Sequence, residues 1–580
     1  MKSFHFTDLS KADAIVNFRV NDAGFLEKRT GTALTLTLPA RIRGALTVPT
    51  ADSEIIYLVS GSSLYRVTFN SGTPSAESLG TLTGAVFMSP TERAELFMFA
   101  GKLCVLAGGE YFSYSSDSGL KKVEGYVPLI YRSCNHSGVG TSFERINLLT
   151  NKVRAGYIAD GSSREYQING QVASVNAVYV RGRLLTRDTD YTVTIAATYA
   201  TVNTKAVYSA TSGDNELIEI HYTLVRTNER SRVTSCTRAV AYGGDTDSRI
   251  FLWGGDEIAS VFPSEPSGAK DGQSISFDYF PVGTPITVGD GNLPVCGACR
   301  QFDRLALFTS ESAYYTYPHD DGTVNTIKRF SYPVMPLNSD IGATKNGGAV
   351  LVENEPYSLS RNSLYRFKST TIRDERLAIR VEPPAYMGFT TAQTEAMRLY
   401  VNKLRGELWC YGAGDGIAVY NARLGCWYRF EGFEADEIFT YGGEPAYFSD
   451  TKLFLSSDTV FADSGVKFTA YCETGWLDLG DAFDLKTVKD FGISVGGSKQ
   501  PRAATVTLTA DGGVYPVADS ASGAHPLRVV VNDFSAPPSD SPTVFKVRGR
   551  LGRVSHLKVK IAAANDGKAL ILREFAVTIV

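Results

Sequence analysis

Two cysteines are the first residues of this 580-residue chain whose spacing could support chemistry. Cys296 and Cys299 form a Cys-x-x-Cys pair, an arrangement that can bind a metal ion or cycle between dithiol and disulfide. A zinc site needs four ligands, and no second Cys or His pair lies at a suitable spacing. A thioredoxin-type motif opens a helix, whereas this pair precedes a predicted strand. We therefore predict two structural thiols, with no metal site and no cofactor.

The histidines are isolated along the sequence. Nucleophile-plus-base catalysis needs a positioned pair of side chains, and no Gly-x-Ser-x-Gly elbow accompanies them. We expect each histidine at a surface or strand position rather than in a catalytic site. The six are His5, His136, His221, His319, His525 and His556.

Two acidic pairs, Asp256-Glu257 and Asp320-Asp321, could act in glycoside hydrolysis, which uses two carboxylates and which some propellers carry out. Adjacent pairs arise by chance in a chain with 61 carboxylates, and both pairs lie in predicted turns, where solvated Asp is common. We expect neither pair to be catalytic. Glycine doublets lack the pattern of a phosphate-binding loop and are expected to mark hairpins. They are Gly243-Gly244, Gly254-Gly255, Gly347-Gly348 and Gly442-Gly443.

Composition excludes several classes of protein. The formal net charge is −3, whereas a protein that grips nucleic acid through its phosphates would normally carry a clear basic excess. No run of about eighteen apolar residues predicts a membrane span, and Met1 to Ser10 lacks an apolar stretch of signal-peptide length. We therefore expect synthesis in a cytoplasm, with the eight cysteines as free thiols.

The elements that must position these residues are short strands. The content of 30 Tyr, 31 Phe and 54 Gly favours many strands joined by tight turns. The phrase Ser63-Leu-Tyr-Arg66 recurs as Ser363-Leu-Tyr-Arg366, each in the second strand of a predicted hairpin. Strand–turn–strand units at a spacing of roughly 40–60 residues are typical of propeller blades or of a repeated sandwich. Predicted hairpins include Glu54 to Ser60 with Leu64 to Phe69, Gly348 to Val352 with Ser363 to Phe367, and Glu407 to Tyr411 with Ile417 to Tyr420.

Helical signal is scarce. Ser10 could cap a short turn through Val16, and Thr391 to Tyr400 predicts two or three helical turns.

These patterns predict an all-β fold, with a β-propeller body, an inserted β-sandwich domain and a C-terminal β-sandwich domain. The blade-like spacing breaks once, where strict alternation of apolar and polar residues indicates a small sandwich. The predicted parts are an N-terminal segment (1–39) that closes the propeller, the first part of the propeller (40–128), the inserted sandwich (129–230), the second part of the propeller (231–465) and the C-terminal sandwich (466–580).

Several phrases along the chain look like those of one family. They are Asn17 to Gly31 (NFRVNDAGFLEKRTG), Phe143 to Thr150 (FERINLLT), Ile250 to Gly255 (IFLWGG), Phe302 to Phe308 (FDRLALF) and Glu473 to Gly480 (ETGWLDLG). Together they resemble phage tail hub, nozzle and packaged-DNA-stabilisation proteins. The resemblance extends over most of the chain and contains no catalytic signature.

That resemblance implies a structural subunit of a bacteriophage tail and not an enzyme. Copies would form a hexameric ring that extends the DNA channel below the portal or adaptor, helps retain the packaged genome and docks fibres, spikes or a needle. Genomic DNA would pass through the lumen without sequence-specific binding. The protein would be made in the host bacterial cytoplasm and would reside in the tail of the virion.

Two alternatives stay open at this point. One is a receptor-binding adhesin of the virion, whose propeller binds host glycan through exposed aromatic side chains. The other is a tail enzyme that degrades polysaccharide. A ring with a central hole would favour the channel subunit, glycan affinity of a monomer or trimer would favour the adhesin, and released sugar would favour the enzyme.

Overall fold

A computed structural model describes the protein over residues 2–5, 12–209, 217–227, 229–243, 248–265, 276–324, 327–369, 376–387, 389–414, 416–457, 459–479, 485–499, 501–510, 528–564 and 567–580. The predicted all-β class is confirmed, because the chain forms a β-propeller with an inserted β-sandwich and a C-terminal β-sandwich. Within these residues, no helix has the length and apolar character needed to cross a membrane.

The N-terminal segment contributes five strands that serve three different sheets. They are β1 (Lys2–His5), β2 (Ala12–Val16), β3 (Phe18–Val20), β4 (Leu26–Lys28) and β5 (Thr32–Thr37). Strands β1, β3 and β4 join one sheet of the C-terminal sandwich, and β2 joins the other. Strand β5 instead becomes the outer strand of the last propeller blade. Only this short part of the segment closes the ring.

The first two blades precede the inserted domain, and each is a four-stranded antiparallel sheet. Blade 1 is β6 (Ile42–Pro49), β7 (Glu54–Ser60), β8 (Ser63–Asn70) and β9 (Thr73–Thr81), and blade 2 is β10 (Glu95–Phe99), β11 (Lys102–Ala107), β12 (Glu110–Ser115) and β13 (Gly119–Lys122). The inserted domain is β14 (Leu129–Cys134), β15 (Thr141–Ser142), β16 (Lys152–Tyr157), β17 (Glu165–Asn169), β18 (Val172–Val180), β19 (Arg183–Leu184), β20 (Tyr191–Ile195), β21 (Tyr199–Thr204) and β22 (Ile218–Leu224).

Blades 3 to 5 follow the one-turn helix α1 (Ser231–Thr234). Blade 3 is β23 (Arg238–Tyr242), β24 (Arg249–Trp253), β25 (Ser260–Pro263) and β26 (Ile286–Thr287). Blade 4 is β27 (Val295–Gln301), β28 (Arg304–Thr309), β29 (Ala313–Thr316) and β32 (Val334–Asn338), with the hairpin β30 (His319–Val324) and β31 (Ile327–Ser331) inserted before its last strand. Blade 5 is β33 (Ala349–Val352), β34 (Glu355–Ser360), β35 (Ser363–Ser369) and β36 (Arg376–Val381).

A 3-10 turn (Ala385–Met387) and helix α2 (Thr391–Ala396) lead to the last two blades. Blade 6 is β37 (Arg398–Asn402), β38 (Glu407–Tyr411), β39 (Ile417–Asn421) and β40 (Cys426–Phe430), and blade 7 is β41 (Glu437–Tyr441), β42 (Glu444–Ser449), β43 (Lys452–Ser456) and β5. The hairpin β44 (Ala462–Asp463) and β45 (Val466–Lys467) precedes the C-terminal sandwich. That sandwich contains β46 (Tyr471–Thr474), β47 (Leu477–Asp478), β48 (Lys486–Val495), β49 (Arg502–Ala510), β50 (Arg528–Ala536), β51 (Thr543–Val554), β52 (His556–Ala563) and β53 (Ile571–Ile579).

Burial explains the different textures of the propeller and the sandwiches. Every residue of β24, β38 and β39 is buried, because a blade packs against neighbours on both faces. Separate apolar clusters fill the contacts between successive blades. Strands of the sandwiches, such as β17 and β49, instead alternate between buried and more exposed residues, because only one face meets a core.

A strand from the N-terminal segment closes the ring at the junction of blades 7 and 1. Strand β5 pairs antiparallel with β43, from Thr32 opposite Ser456 to Thr37 opposite Lys452. The first strands of successive blades contact one another all the way round, and that of blade 7 contacts that of blade 1. Pairing between distant parts of the chain thus covers β43 and joins the two ends of the propeller segment.

Blade 6 is also the attachment point of the C-terminal sandwich. Val16 of β2 pairs in parallel with Arg429 of β40, and β2 continues through β46 into β52, β49 and β50. One apolar cluster therefore runs from blade 6 into the sandwich, and it includes Trp409, Phe430 and Val506. The sandwich shares its core with the propeller.

Three local expectations were wrong. Ala12–Val16 is a strand and not a helical turn, because Ile15 pairs with Cys472; Ser10 lies outside the described residues. Helix α2 ends at Ala396 because the following residues form the inner strand of blade 6. The predicted pairing of Gly348 to Val352 with Ser363 to Phe367 missed β34, which lies between β33 and β35.

A buried arginine links the closing strand to the rest of the fold. Arg29 is 2% exposed, and its Nε donates to Asn17 Oδ1 (2.8 Å), its Nη1 to Asp463 Oδ1 (3.0 Å) and its Nη2 to the carbonyl of Glu431 (2.7 Å). Its guanidinium carbon lies 3.8 Å from the ring centroid of Phe468. This site fixes β5 between blade 7 and the sandwich.

The Arg29–Asp463 pair predicts a large effect of a single truncation. Asp463→Ala leaves the buried guanidinium without its counterion, and we expect the free energy of unfolding to fall by about 3–5 kcal/mol. Urea denaturation followed by tryptophan fluorescence measures the change. Glu77→Ala is the control, because Glu77 pairs with Arg66 on the surface and should matter by about 1 kcal/mol or less. Equal effects of the two variants would contradict the role assigned to Arg29.

Close approach of the inner strands of blades 1 and 2 predicts a second sensitive position. A Cβ on Gly44 would lie 2.1 Å from the carbonyl oxygen of Ala94, which is backbone and cannot rotate away. We expect Gly44→Ala to destabilise the protein by about 1–3 kcal/mol through overpacking. Gly492→Ala is the control, because the nearest atom to its Cβ, the carbonyl oxygen of Phe545, would be 3.7 Å away. We expect the melting temperature of Gly44→Ala to lie below that of Gly492→Ala. A Gly44→Ala protein as stable as the control would show that the blades can move apart.

Candidate site at the propeller axis

Charged side chains converge where the inner strands of the blades begin. Glu95, Arg238, Arg398 and Glu437 are the first residues of β10, β23, β37 and β41, and Arg93 lies two residues before β10. Because the inner strands surround one axis, their first residues meet at the same end of the propeller. They line a cavity of about 240 Å³, here called the axial pocket. Four blades thus contribute a charge to one site.

Two ion pairs organise these charges. Arg93 Nη1 pairs with Glu437 Oε2. This pair joins blade 7 to the segment just before the first strand of blade 2. Arg238 Nη1 lies 3.3 Å from Glu95 Oε2 and joins blade 3 to blade 2. The side chains of Glu95 and Glu437 are 25% and 26% exposed, so both carboxylates remain open to the pocket.

The environment of Glu95 favours its protonated form. Burial raises the pKa of Glu95 to about 7, and the nearby charge of Glu437 raises it further, while Arg238 opposes the shift. Desolvation penalises the charged carboxylate, and a second carboxylate repels it. Glu95 can therefore act as a proton donor near neutral pH.

Arg398 has a different status from the other two arginines. Burial lowers the pKa of Arg398 to about 10, and Arg93 and Arg238 contribute to the shift because they repel its charge. Within the described part of the chain, Arg398 has no ion pair and no hydrogen bond from its guanidinium. It stands opposite Tyr411 in blade 6, whose hydroxyl accepts a hydrogen bond from the backbone N–H of Ile438 at 3.4 Å.

A larger cleft adjoins the axial pocket on the same face. It has a volume of about 730 Å³ and shares Cys296 and Asn346 with the pocket. The turns and linkers of blades 4 and 5 and helix α2 line it, with Glu311, Asp340 and Arg361 among the charged residues. A cleft of this size can hold several rings of a polar ligand.

The Cys-x-x-Cys pair lies within the inner strand β27 and not before a strand. Both thiols are free and buried, and burial raises the pKa of Cys296 to about 11 and that of Cys299 to about 12. Thiolates are the reactive and metal-binding form, so these groups are held in the inert form. Among the described residues no cluster of three or more Cys, His, Asp or Glu could hold a metal ion.

The structure keeps the histidines apart. His221 contacts Glu219 and His136 lies 3.4 Å from Asp160, both in the inserted domain, whereas His556 contacts Ser555 in the C-terminal sandwich. His319 is exposed in β30. The side chain of His5 is not described, and His525 lies outside the described residues. None of the four described imidazoles lines the axial pocket.

Neither acidic pair lines the axial pocket, and of the described glycine doublets Gly347-Gly348 alone does so. Asp320-Asp321 belongs to the exposed strand β30 and not to a turn, because that segment pairs with β31. Glu257 pairs with Arg232 at the outer turn of blade 3. Gly442-Gly443 is a hairpin turn, whereas Gly347-Gly348 lines the axial pocket before β33. Gly244 lies outside the described residues.

The five charged residues of the axial pocket were not predicted from sequence. Arg93 and Glu437, the first and last of them in the sequence, are 344 positions apart. The five match no spacing motif. The signal that could have found them is their shared position, since four of them begin the first strand of a blade. Using it requires knowledge of which strand in each repeat is innermost.

Comparison with known proteins finds no matching family model and no matching curated protein. Three similar solved structures are of an exo-β-1,3-galactanase from Phanerochaete chrysosporium. Two single-residue variants with β-1,3-galactotriose have 10% and 9% identity, cover 94% and 98% of this chain and 99% of their own, and give TM-scores of 0.22 and 0.21. The galactose complex has 10% identity, covers 97% of this chain and 100% of its own, and gives a TM-score of 0.22.

This comparison corrects two expectations. We expected a structural subunit of a phage tail and no enzyme activity, and the galactanases among the similar structures contradict both. Against this finding, both expectations are wrong. TM-scores of 0.21–0.22 carry no activity over to this chain, so the geometry of its own site must support any function. The family resemblance, the hexameric ring and the virion location are not tested and stay predictions.

The raised pKa of Glu95 predicts a pH-dependent stability. Between the ordinary value of 4.5 and about 7, the folded chain retains a proton on Glu95 that the unfolded chain releases. Stability should therefore fall as pH rises through this window. Glu95→Gln removes the ionisation, so its melting temperature minus that of the wild type should increase from pH 5 to pH 8. A difference that stays constant across these pH values would show that Glu95 titrates normally.

Proposed function

We propose that the protein binds a saccharide in the cleft beside the propeller axis and hydrolyses a glycosidic bond in the axial pocket. The observation that carries the proposal is the raised pKa of Glu95, about 7, in a pocket that also contains the carboxylate of Glu437. Glycoside hydrolysis uses two carboxyl groups, one of which must hold a proton at the working pH. Glu95 supplies the protonated carboxyl group and Glu437 supplies the second one.

The two carboxyl groups have separate tasks in the reaction. Glu95 donates its proton to the glycosidic oxygen as the bond from the anomeric carbon to that oxygen breaks. Glu437, charge-paired with Arg93, faces the same pocket and assists attack on the anomeric carbon. Water supplies the hydroxyl group that the anomeric carbon gains, and its remaining proton passes by way of Glu437 to Glu95, which is then protonated again. Each turnover therefore consumes one water and leaves both carboxyl groups unchanged.

The surrounding structure supports this use of the site. The adjoining cleft of about 730 Å³ provides room for sugar rings on one side of the carboxyl pair. Its wall combines the charged side chains of Glu311, Asp340 and Arg361 with serine and threonine residues, which can hydrogen-bond to hydroxyl groups.

Release of reducing ends tests the proposal. The protein would be incubated with neutral and acidic polysaccharides, including a β-1,3-galactan, a xylan and a polygalacturonate. We expect the wild type to release reducing ends from at least one, with activity lost above a pH of about 7 as Glu95 ionises. Glu95→Gln should lower the rate by about 10²–10⁴-fold, the usual contribution of general acid catalysis.

The matched variants separate chemistry from folding. Glu437→Gln should lower the rate comparably, whereas Glu77→Gln, in an exposed pair on blade 1, should leave it unchanged. Each variant must melt within a few degrees of the wild type to be interpretable. Reducing ends released equally by the wild type and by Glu95→Gln, or by neither from any polysaccharide, would refute hydrolysis at this site.

A further inference from the structure

Cations outnumber anions in the axial pocket. Arg93 and Arg238 lie beside Glu437 and Glu95, while Arg398 makes no ion pair within the described residues, although the nearby charge of Glu437 attracts it. Arg398 is half-buried at the start of β37. The nitrogens of its guanidinium group are not fully buried. Since it makes no hydrogen bond in the described chain either, its donors face the open space of the pocket.

A second donor in the same wall lacks an acceptor. Trp253 stands opposite Arg238 in blade 3 and lines the axial pocket. Its indole Nε1 is buried and has no hydrogen-bond partner in the described structure. Because this nitrogen is buried, a ligand in the pocket can reach the donors of Arg398 and not that of Trp253.

We infer that the saccharide bound by the axial pocket is acidic, and that its anionic group pairs with Arg398. This inference rests on the proposed function for the sugar itself and adds the charge of the substrate. A planar guanidinium binds a carboxylate or a sulfate ester through two parallel hydrogen bonds, and such charge-assisted bonds are stronger than neutral ones. Arg93 and Arg238 strengthen the attraction, although one nitrogen of each already contacts Glu437 or Glu95.

Neutral explanations account less well for these observations. A purely structural ion-pair ring would match its charges, since an uncompensated half-buried charge is costly. A neutral sugar would leave Arg398 unpaired after binding and would gain little from three converging arginines. An anion relieves the repulsion among them and at the same time accepts hydrogen bonds from Arg398.

Binding by the full-length Glu95→Gln protein tests the inference without turnover. Three probes of matched length are titrated by calorimetry: an oligogalacturonate, which carries carboxylates; an oligosaccharide of a sulfated galactan; and a neutral β-1,3-galacto-oligosaccharide. We expect at least one acidic probe to bind about tenfold or more tightly than the neutral one. Its affinity should fall as salt is raised, because a partly exposed ion pair is screened. The first two probes distinguish carboxylate from sulfate as the anion.

A second substitution assigns the effect to Arg398. In the same background, Arg398→Gln should weaken binding of the acidic probe about tenfold or more and leave that of the neutral probe unchanged. Arg66→Gln, on the outer face of blade 1, is the matched control and should change neither. Equal affinities for acidic and neutral probes, or equal binding by Arg398→Gln and its parent, would overturn the inference.

The outcomes for charge and for hydrolysis are distinguishable. Cleavage of a neutral glycan that depends on Glu95 but not on Arg398 would support the proposed function and refute the acidic substrate. Binding of an acidic probe that depends on Arg398, with no reducing ends released by the wild type, would support the inference and refute hydrolysis. Absence of binding by all three probes would refute the inference.

Discussion

The buried contact of Arg29 with Asp463 fixes the point at which the propeller ring closes. A closed ring requires the two ends of the propeller segment to meet, and here β5 must remain on blade 7. Taking a guanidinium out of water is costly unless its donors are satisfied. Arg29 meets that condition through Asn17, Glu431 and Asp463, which lie up to 434 positions from it in the sequence. Long-range pairing of this kind specifies one arrangement because only the closed ring brings these partners together.

Closure in turn creates the axial pocket. When the blades surround one axis, the first residue of each inner strand lies at the same end, whatever the distance between them in the chain. Glu95, Arg238, Arg398 and Glu437 become neighbours for this reason alone. The tight fit of Gly44 against Ala94 keeps the inner strands close enough for side chains of different blades to interact. The chemistry of the site therefore depends on the geometry of the ring.

Sequence patterns were sufficient for the fold class but not for the site. The recurring Ser63-Leu-Tyr-Arg66 and Ser363-Leu-Tyr-Arg366 begin the third strands of blades 1 and 5, where Leu64 and Leu364 are both fully buried, so local repetition reports the blade. The strand Ala12–Val16 could not be identified locally, since its partner Cys472 lies far along the chain. The charged cluster is harder still, because its members share no spacing. Pairs adjacent in sequence, such as Asp320-Asp321, are easily recognised, but that pair lies in an exposed strand outside the axial pocket.

The charges of the pocket also couple binding to the proton on Glu95. With Glu95 protonated, three guanidinium groups face a single carboxylate, so the pocket without ligand has an excess of positive charge. An anionic group held by Arg398 would offset that excess and would also disfavour the ionised form of Glu95, because like charges repel. The ligand that the arginines attract would thus help to keep the general acid protonated. Binding an anion requires a cationic wall, whereas catalysis requires a neutral acid. The pocket can meet both requirements because the ligand itself brings the compensating charge.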